Sequence, residues 1–324
     1  MTLKYDADEL IESVRNRAMC PDSNSSGSRD QDIIRYLNEE MATRFFPALC
    51  QIREEYNVYT ERTELVASQT RYRISARAGF NRIRDVMLLN SSGVRQRLAK
   101  VPRERLGRFP QSPNDNPVGY YLEWDHLVLV PDTGSSPSGS LEISYFFRPP
   151  EIVATDEVTT IAGVDTTTGI ITLDSAPTAF TDSIAYDIHG PKSGSEIRAY
   201  SITALVYNSG VPSLTFTATD IDGSGYGRYV PQVGDYVCLE GECAIPFLPR
   251  DMHPMLAHGA AVRLLRAAGD HESADRSKQE LDEFLQAAIV MTDDRIDGEP
   301  DTALNPDSFL GRWGSWGTDR RGFM

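Results

Sequence analysis

The stretch IPFLPRDMHPMLAHGAAVRLLRAAGDHESADRSKQELDEFLQAAIVMTDDR, residues 245–295, decides the fold. Met252, Met255, Leu256, Val262, Leu264 and Leu265 recur at three-to-four spacing, the period of one helix face. Ala257, Gly259, Ala260, Ala261, Ala267 and Ala268 are small, so a second backbone can come close, and this face is a candidate subunit-packing surface. Gly269 is placed to end the helix in the left-handed conformation. Asp270 can cap the next helix, with its negative charge at the positive end. That second helix carries Ala274, Leu281, Phe284, Leu285, Ala288 and Ile289 on one stripe. Each helix reaches roughly 25 Å at 1.5 Å per residue. The pair forms an antiparallel hairpin whose apolar stripes need a partner.

The N-terminal region supplies one. Leu10, Ile11, Val14 and Ala18 mark a short helix within residues 1–20, and the polar run PDSNSSGSRD marks a loop. Asp30 is expected to cap a second helix, on which Ile33, Ile34, Leu37, Met41 and Phe45 share a face that Leu49 and Ile52 extend. Pro47 is expected to kink or split that helix, because proline lacks the amide hydrogen and its ring crowds the preceding turn.

From Asn57 the period moves toward two. NVYTERTELVA, RYRISARA and RIRDVMLLN read as strands, GYYLEWDHLVLVPD as a hairpin, and LEISYFFRPP as a strand stopped by two prolines. VRQRLAKVPRERLGRF fits strand or helix, and QSPNDNPVG is a loop. Residues 151–245 hold 13 acids against only Lys192, Arg198 and Arg228. Their short alternating runs, separated by Gly, Asp, Ser and Pro, predict an antiparallel sandwich or small barrel.

The expected fold class is therefore α+β: a helical bundle of N- and C-terminal helices, an inserted antiparallel β domain, and an extended C-terminal arm. The expected divisions are N-terminal helices at 1–56, a mixed β region at 57–150, and the acidic β domain at 151–245. The helix hairpin follows at 246–295 and the arm at 296–324. The arm lacks a helical period yet contains Phe309, Trp313, Trp316 and Phe323. Disordered tails are usually poor in aromatics, so these residues read as anchors on a neighbouring surface.

The net charge of −15 argues against a sequence-independent grip on nucleic acid. It is unevenly spread. Residues 71–108 contain ten arginines and Lys100 against Asp85 and Glu104, a local +9 that leaves −24 on the remainder. Arginine pairs with carboxylate or phosphate through a planar fork, so the stretch reads as an interface facing protein rather than single-stranded nucleic acid. Arg71, Arg73, Arg77, Arg82 and Arg84 are the expected subunit or partner contacts. A solvated basic face is the plainer alternative. No apolar run is long enough to span a bilayer. The first residues, MTLKYDADELIESV, lack the basic-then-apolar pattern of an export signal, and the four scattered cysteines do not make a disulfide framework. Synthesis in the cytoplasm is expected.

Motifs for catalysis are missing: H-E-x-x-H, G-x-S-x-G and G-x-x-x-x-G-K-[ST] do not occur. Cys238, Cys243, His253 and His258 have a loosely zinc-like spacing, but the central gap is short and Pro254 intervenes. Two thiols and two helix histidines without metal are the preferred reading. Asp220, Asp222 and Ser224 resemble the opening of a calcium loop, yet Pro231 stands where the bidentate acid belongs, so a β-turn is expected. No cofactor and no metal are expected.

The order of these elements resembles the head-to-tail adaptor, or connector, proteins of tailed bacteriophages over roughly residues 5–290. The resemblance rests on the strand Tyr72–Ala78 leading to Arg84–Val86, on Arg148-Pro149-Pro150, on Gly234-Asp235-Tyr236, and on Pro249 to Asp270. It implies a structural virion protein without catalysis, made in the host cytoplasm and placed at the capsid–tail junction. It implies a ring, usually of twelve subunits, below the portal protein. Such a ring extends the channel for double-stranded DNA during genome ejection and docks a tail or nozzle protein, with no membrane involved. It also implies a C-terminal arm that reaches the portal, for which Phe309, Trp313 and Trp316 are the candidate anchors. Two other classes stay open. One is a carbohydrate- or receptor-binding β module of a phage tail, with Trp124, Tyr226 and Tyr229 as platforms. The other is a glycoside hydrolase using an acid pair such as Asp220 and Asp222.

Overall fold

The structure is a computed structural model that describes residues 6–19, 29–52, 57–90, 92–108, 117–131, 134, 139–223 and 228–292. The C-terminal hairpin forms as its periodicity predicts. Helix α5 comprises His253–Ala267 and helix α6 comprises His271–Thr292; they follow α1 (Ala7–Arg17), α2 (Asp30–Glu40), α3 (Phe46–Ile52) and the one-turn α4 (Ala218–Ile221). Gly269 takes φ +85° between α5 and α6, and Asp270 accepts a hydrogen bond from the Ser273 amide at 3.1 Å, as a capping residue should. Helix α5 packs against α1, α2 and α6, and α3 packs against α6. Along α5, Ala257, Gly259, Ala260 and Ala261 are buried within the chain. Their small size serves this internal packing, which corrects the reading of them as a subunit surface. On α6, Ala274 and Leu281 are buried and Leu285 and Ala288 lie against the same core, whereas Phe284 faces outward.

Two local expectations change. Helix α2 begins at Asp30 itself, with Arg29 at the cap position; the Asp30 carboxylate instead meets Arg15 of α1. Pro47 does not split the helix. The turn before it, Met41–Phe45, widens into a π-helix, and the Phe46 amide reaches back to the Met41 carbonyl. Widening the turn ahead of a proline accommodates the missing amide and the bulky ring while the chain stays helical.

The strands are β1 (Val58–Glu64), β2 (Arg71–Arg73), β3 (Ala78–Leu89), β4 (Arg95–Arg97), β5 (Ala99–Lys100), β6 (Gly119–Glu123), β7 (His126–Val130), β8 (Ser140–Phe147) and β9 (Glu151–Ile152). Then come β10 (Thr159–Asp165), β11 (Ile170–Leu173), β12 (Ala185–His189), β13 (Ile197–Thr203), β14 (Val206–Asn208), β15 (Ser213–Thr215), β16 (Tyr236–Leu239) and β17 (Glu242–Cys243). One sheet runs β1-β8-β3-β4, a second β2-β7-β6-β5, and β17 pairs with β9. The ambiguous stretch after Val94 resolves into β4, β5 and a 3-10 turn at Arg103–Arg108.

The acidic region folds as a seven-stranded sheet in the order β13-β12-β16-β10-β11-β15-β14. Strand β10 is shared: Thr159 and Thr160 pair with β16, and Ile161 to Asp165 pair with β11, with a register shift between Ile161 and Gly163. Both halves of the sheet send side chains into one core, Tyr186, Ile188 and Val237 from one and Ile171, Leu173 and Leu214 from the other. The end strands β13 and β14 are not joined in that order, so the small barrel does not close. The molecule is a mixed α+β protein with several sheets. A larger core joins the helices to the first two sheets, with Tyr145 and Phe147 of β8, Leu127 and Leu129 of β7, and Leu256 and Leu264 of α5 in one cluster.

Candidate functional site: an arginine-rich surface

The basic stretch is laid over both small sheets, and its members have different fates. Arg71 and Arg73 stand on the exposed side of β2, whose middle residue Tyr72 is buried, as period-two alternation requires. Arg71 forms an ion pair with Glu123 at 3.0 Å, and Arg73 forms one with Asp125 at 3.3 Å. Arg103 donates to the same Glu123 at 2.6 Å and lies 5.9 Å from the centre of the Tyr121 ring. Asp125 meets Nδ1 of His126 at 2.6 Å. These groups surround the β6–β7 turn, at whose tip Trp124 is 93% exposed.

Trp124 adopts φ +56°. Glycine or asparagine usually fills such a turn position, because a Cβ crowds the following carbonyl. An indole held there, outside every core, is a costly arrangement for folding alone.

Arg82 and Arg84 belong to β3. Ala78 pairs with Phe147 and Ile83 pairs with Tyr145, so residues 79–82 bulge out opposite the single residue Phe146. Phe80 and Asn81 take φ +54° and +52° in this bulge. Phe80 remains 80% exposed although its ring stacks on Phe46 at 6.5 Å. The exposed Arg82 guanidinium lies 4.5 Å from the centre of the Phe146 ring, and Arg84 is half-buried. A bulge re-aims side chains that a regular strand would point elsewhere.

Arg77 does not join this surface. It is buried and pairs with the fully buried Asp187 of β12, with the Phe147 and Tyr200 rings each 5.4 Å from the guanidinium carbon. Its charge is used inside the chain. Sequence reading grouped it with its neighbours because the turn at Ser75–Arg77 that redirects it, closed by the Ala78 amide on the Ser75 carbonyl, has no local signature. The sequence reading also passed over Phe80, whose exposure depends on the bulge.

The other candidates are dispersed. Cys238 and Cys243 are wholly buried beside one another, and burial pushes the Cys238 thiol up. His253 is held by the Leu248 carbonyl at 3.0 Å, while His258 faces Arg17 at 3.3 Å. Among the described residues no group of three or more His, Cys, Asp or Glu side chains could hold a metal. Asp220 lies in α4, rather than in the expected β-turn, and is paired with Arg228. Ser224, Tyr226, Phe309, Trp313 and Trp316 lie outside the described residues. Tyr229 is exposed after α4, away in sequence from the Trp124 turn.

One large groove lies on the helical side. It runs between α2 and the segment from β9 to Glu157, and encloses about 1020 Å³. Ile34, Ala42 and Val153 give it an apolar floor, and Asp30, Glu39, Glu151, Asp156 and Glu157 line it with acid. The side chain of Asn38 ties the two walls together: it donates to the Ile152 carbonyl at 2.9 Å and accepts from the Ile152 amide at 2.7 Å.

Residues 5–188, more than half of the chain, match the family described as SU10 adaptor protein. The chain belongs to that family. The match makes it a phage head-to-tail adaptor and a structural virion protein, of a family that is not enzymatic in general. Adaptors of this family interact with portal and tail proteins. The matched span includes the Tyr72–Ala78, Arg84–Val86 and Arg148–Pro150 segments on which the resemblance rests; Gly234–Tyr236 and Pro249–Asp270 lie beyond it. No curated protein matches the adaptor chain. None of its helices, among the described residues, is long and apolar enough to cross a membrane.

Proposed function

We propose that the chain assembles as a ring below the portal at the capsid–tail junction, extends the DNA channel, and presents the surface on which a tail or nozzle protein docks. Family membership over residues 5–188 carries this reading. The helices α1, α2, α5 and α6 form the ring body, in which each copy repeats one heterologous contact, and the ring has twelve copies, the number that the family resemblance implies. Arg71, Arg73, Arg82 and Arg84 contribute subunit or partner contacts from the two small sheets. Phe309, Trp313 and Trp316 anchor the C-terminal arm in the portal. Double-stranded DNA passes without sequence-specific binding, since the acid-rich remainder of the chain repels phosphate.

Negative-stain images of the protein alone and mixed with portal rings of the same phage test the reading. A second ring stacked coaxially under the portal is expected, and a chain that ignores portal rings would sink it. Deleting residues 296–324 should abolish portal binding with the fold intact; normal joining by the truncated chain would refute the arm assignment alone.

A further inference from the structure

We infer that the Trp124 turn of one copy docks in the acidic groove between α2 and β9 of the next copy, and that this knob-and-groove contact closes the ring. The inference rests on the ring reading above and names its contact.

The knob combines three features. Its indole is almost fully exposed and held at positive φ. Three guanidinium groups stand around it, with the side chains of Arg71, Arg73 and Arg103 each more than 60% exposed. Its own acids, Glu123 and Asp125, already accept ion pairs from those arginines and so set their direction. Tryptophan and arginine together are the residue types that dominate the energetics of protein contacts.

The groove is complementary in each respect. Its apolar floor suits an indole, and a volume of about 1020 Å³ has room for the ring and flanking guanidinium groups. Its rim holds Asp30, Glu39, Glu151, Asp156 and Glu157 against Arg29 and Arg35; Asp30 already meets Arg15 and Glu39 meets Arg263, so Glu151, Asp156 and Glu157 carry the contact. Exposed arginine forks meeting carboxylates across a contact give charge-assisted hydrogen bonds and fix its register.

The occupant is a second copy for a geometric reason. Trp124 is too exposed to sit in the groove of its own chain. Knob against knob would set like charges together, and groove against groove acidic ones, so the knob of one copy is matched by the groove of another. Because the knob and the groove lie on different parts of one chain, copies that pair them in one direction make a heterologous contact, which repeats head to tail until a ring closes, as the ring reading above requires.

The test measures ring occupancy on portal rings of the same phage by negative stain, beside thermal melts of each variant. Trp124→Gly removes the indole and relieves the positive-φ strain, so its melting temperature should equal or exceed that of the wild type. Trp124→Gly, Arg73→Glu and Glu157→Arg should each lower occupancy at least tenfold. Arg73→Glu combined with Glu157→Arg should recover to within threefold of the wild type. If folded Trp124→Gly and Arg73→Glu chains fill rings normally, the inference is overturned while the ring reading stands. Loss with both knob variants but normal rings with Glu157→Arg, and no recovery in the double variant, would place the knob on the portal or the tail and also overturn it. A wild-type chain that forms no ring on the portal overturns both.

Discussion

The Arg77 guanidinium and the Asp187 carboxylate meet in the interior, 110 residues apart in sequence, and join the turn before β3 to β12. Asp187 also accepts the Ser201 amide at 2.8 Å and the Gly241 amide at 3.0 Å. A buried carboxylate with two amide donors and an opposed guanidinium is well compensated, whereas either charge alone would be strongly penalised. This pair connects the sheet that shares a core with the helices to the seven-stranded sheet.

Arg77→Ala should therefore destabilise the protein by about 3–5 kcal/mol, the usual cost of breaking a buried pair from one side. Urea unfolding at neutral pH measures this. A loss below 1 kcal/mol would show that the pair is not a structural clasp.

Gly241 lies against the same guanidinium. It takes φ +94°, and a Cβ built there would stand 2.9 Å from Nη1 of Arg77. Gly241→Ala should cost roughly 1–2 kcal/mol from the left-handed backbone alone, with displacement of Arg77 adding to it. Combined with Arg77→Ala, the Gly241→Ala penalty should shrink, and a double-mutant cycle on unfolding free energies reads the difference.

On the helical side, Arg263 of α5 donates to Glu40 at 2.6 Å and to Glu39 at 2.7 Å, both on α2. The Glu40 side chain is nearly enclosed, with Gly259 leaving room for its carboxylate. Arg263→Met should cost about 2 kcal/mol, in the range for hydrogen bonds to charged groups. Adding Glu40→Gln should recover part of that loss in chemical denaturation, because the uncompensated charge is then gone.

Burial pushes His253 down to about 4 from an ordinary 6.5. The folded state keeps the imidazole neutral while the unfolded chain takes up a proton below pH 6.5. Its contribution to stability is complete above that pH and falls as the pH drops toward 4, by on the order of 3 kcal/mol at the lower end. His253→Gln should flatten the dependence of unfolding free energy on pH between 6.5 and 4. An unchanged slope would mean that other groups set the acid sensitivity.

Periodicity made α5 and α6 legible, because burying one helix face imposes a three-to-four spacing wherever the partner lies. Gly269 and Asp270 were legible for the same reason, as their roles depend on the local backbone. The widened turn before Pro47 was half legible: proline announces a disturbance, but the neighbours decide whether the helix breaks or expands. The arginine stretch could be counted but not sorted. Arg73 and Arg77 are four residues apart in one basic run, yet one stands on an exposed strand face and the other lies against Asp187.

The sequence by itself determined that helices at both ends are amphipathic, that the middle is β, and that positive charge is gathered in one stretch. Those properties depend on residues near one another along the chain, so their spacing records them. Only the tertiary structure decided that β10 is shared between two halves of an open sheet, that Phe80 is thrust out by a bulge, and that the groove faces α2 from β9. Each of these depends on pairings between residues tens to more than a hundred positions apart. Trp124 belongs to both accounts: its turn is written in its neighbours, but its isolation at the tip, ringed by Arg71, Arg73 and Arg103, exists only once the strands have paired.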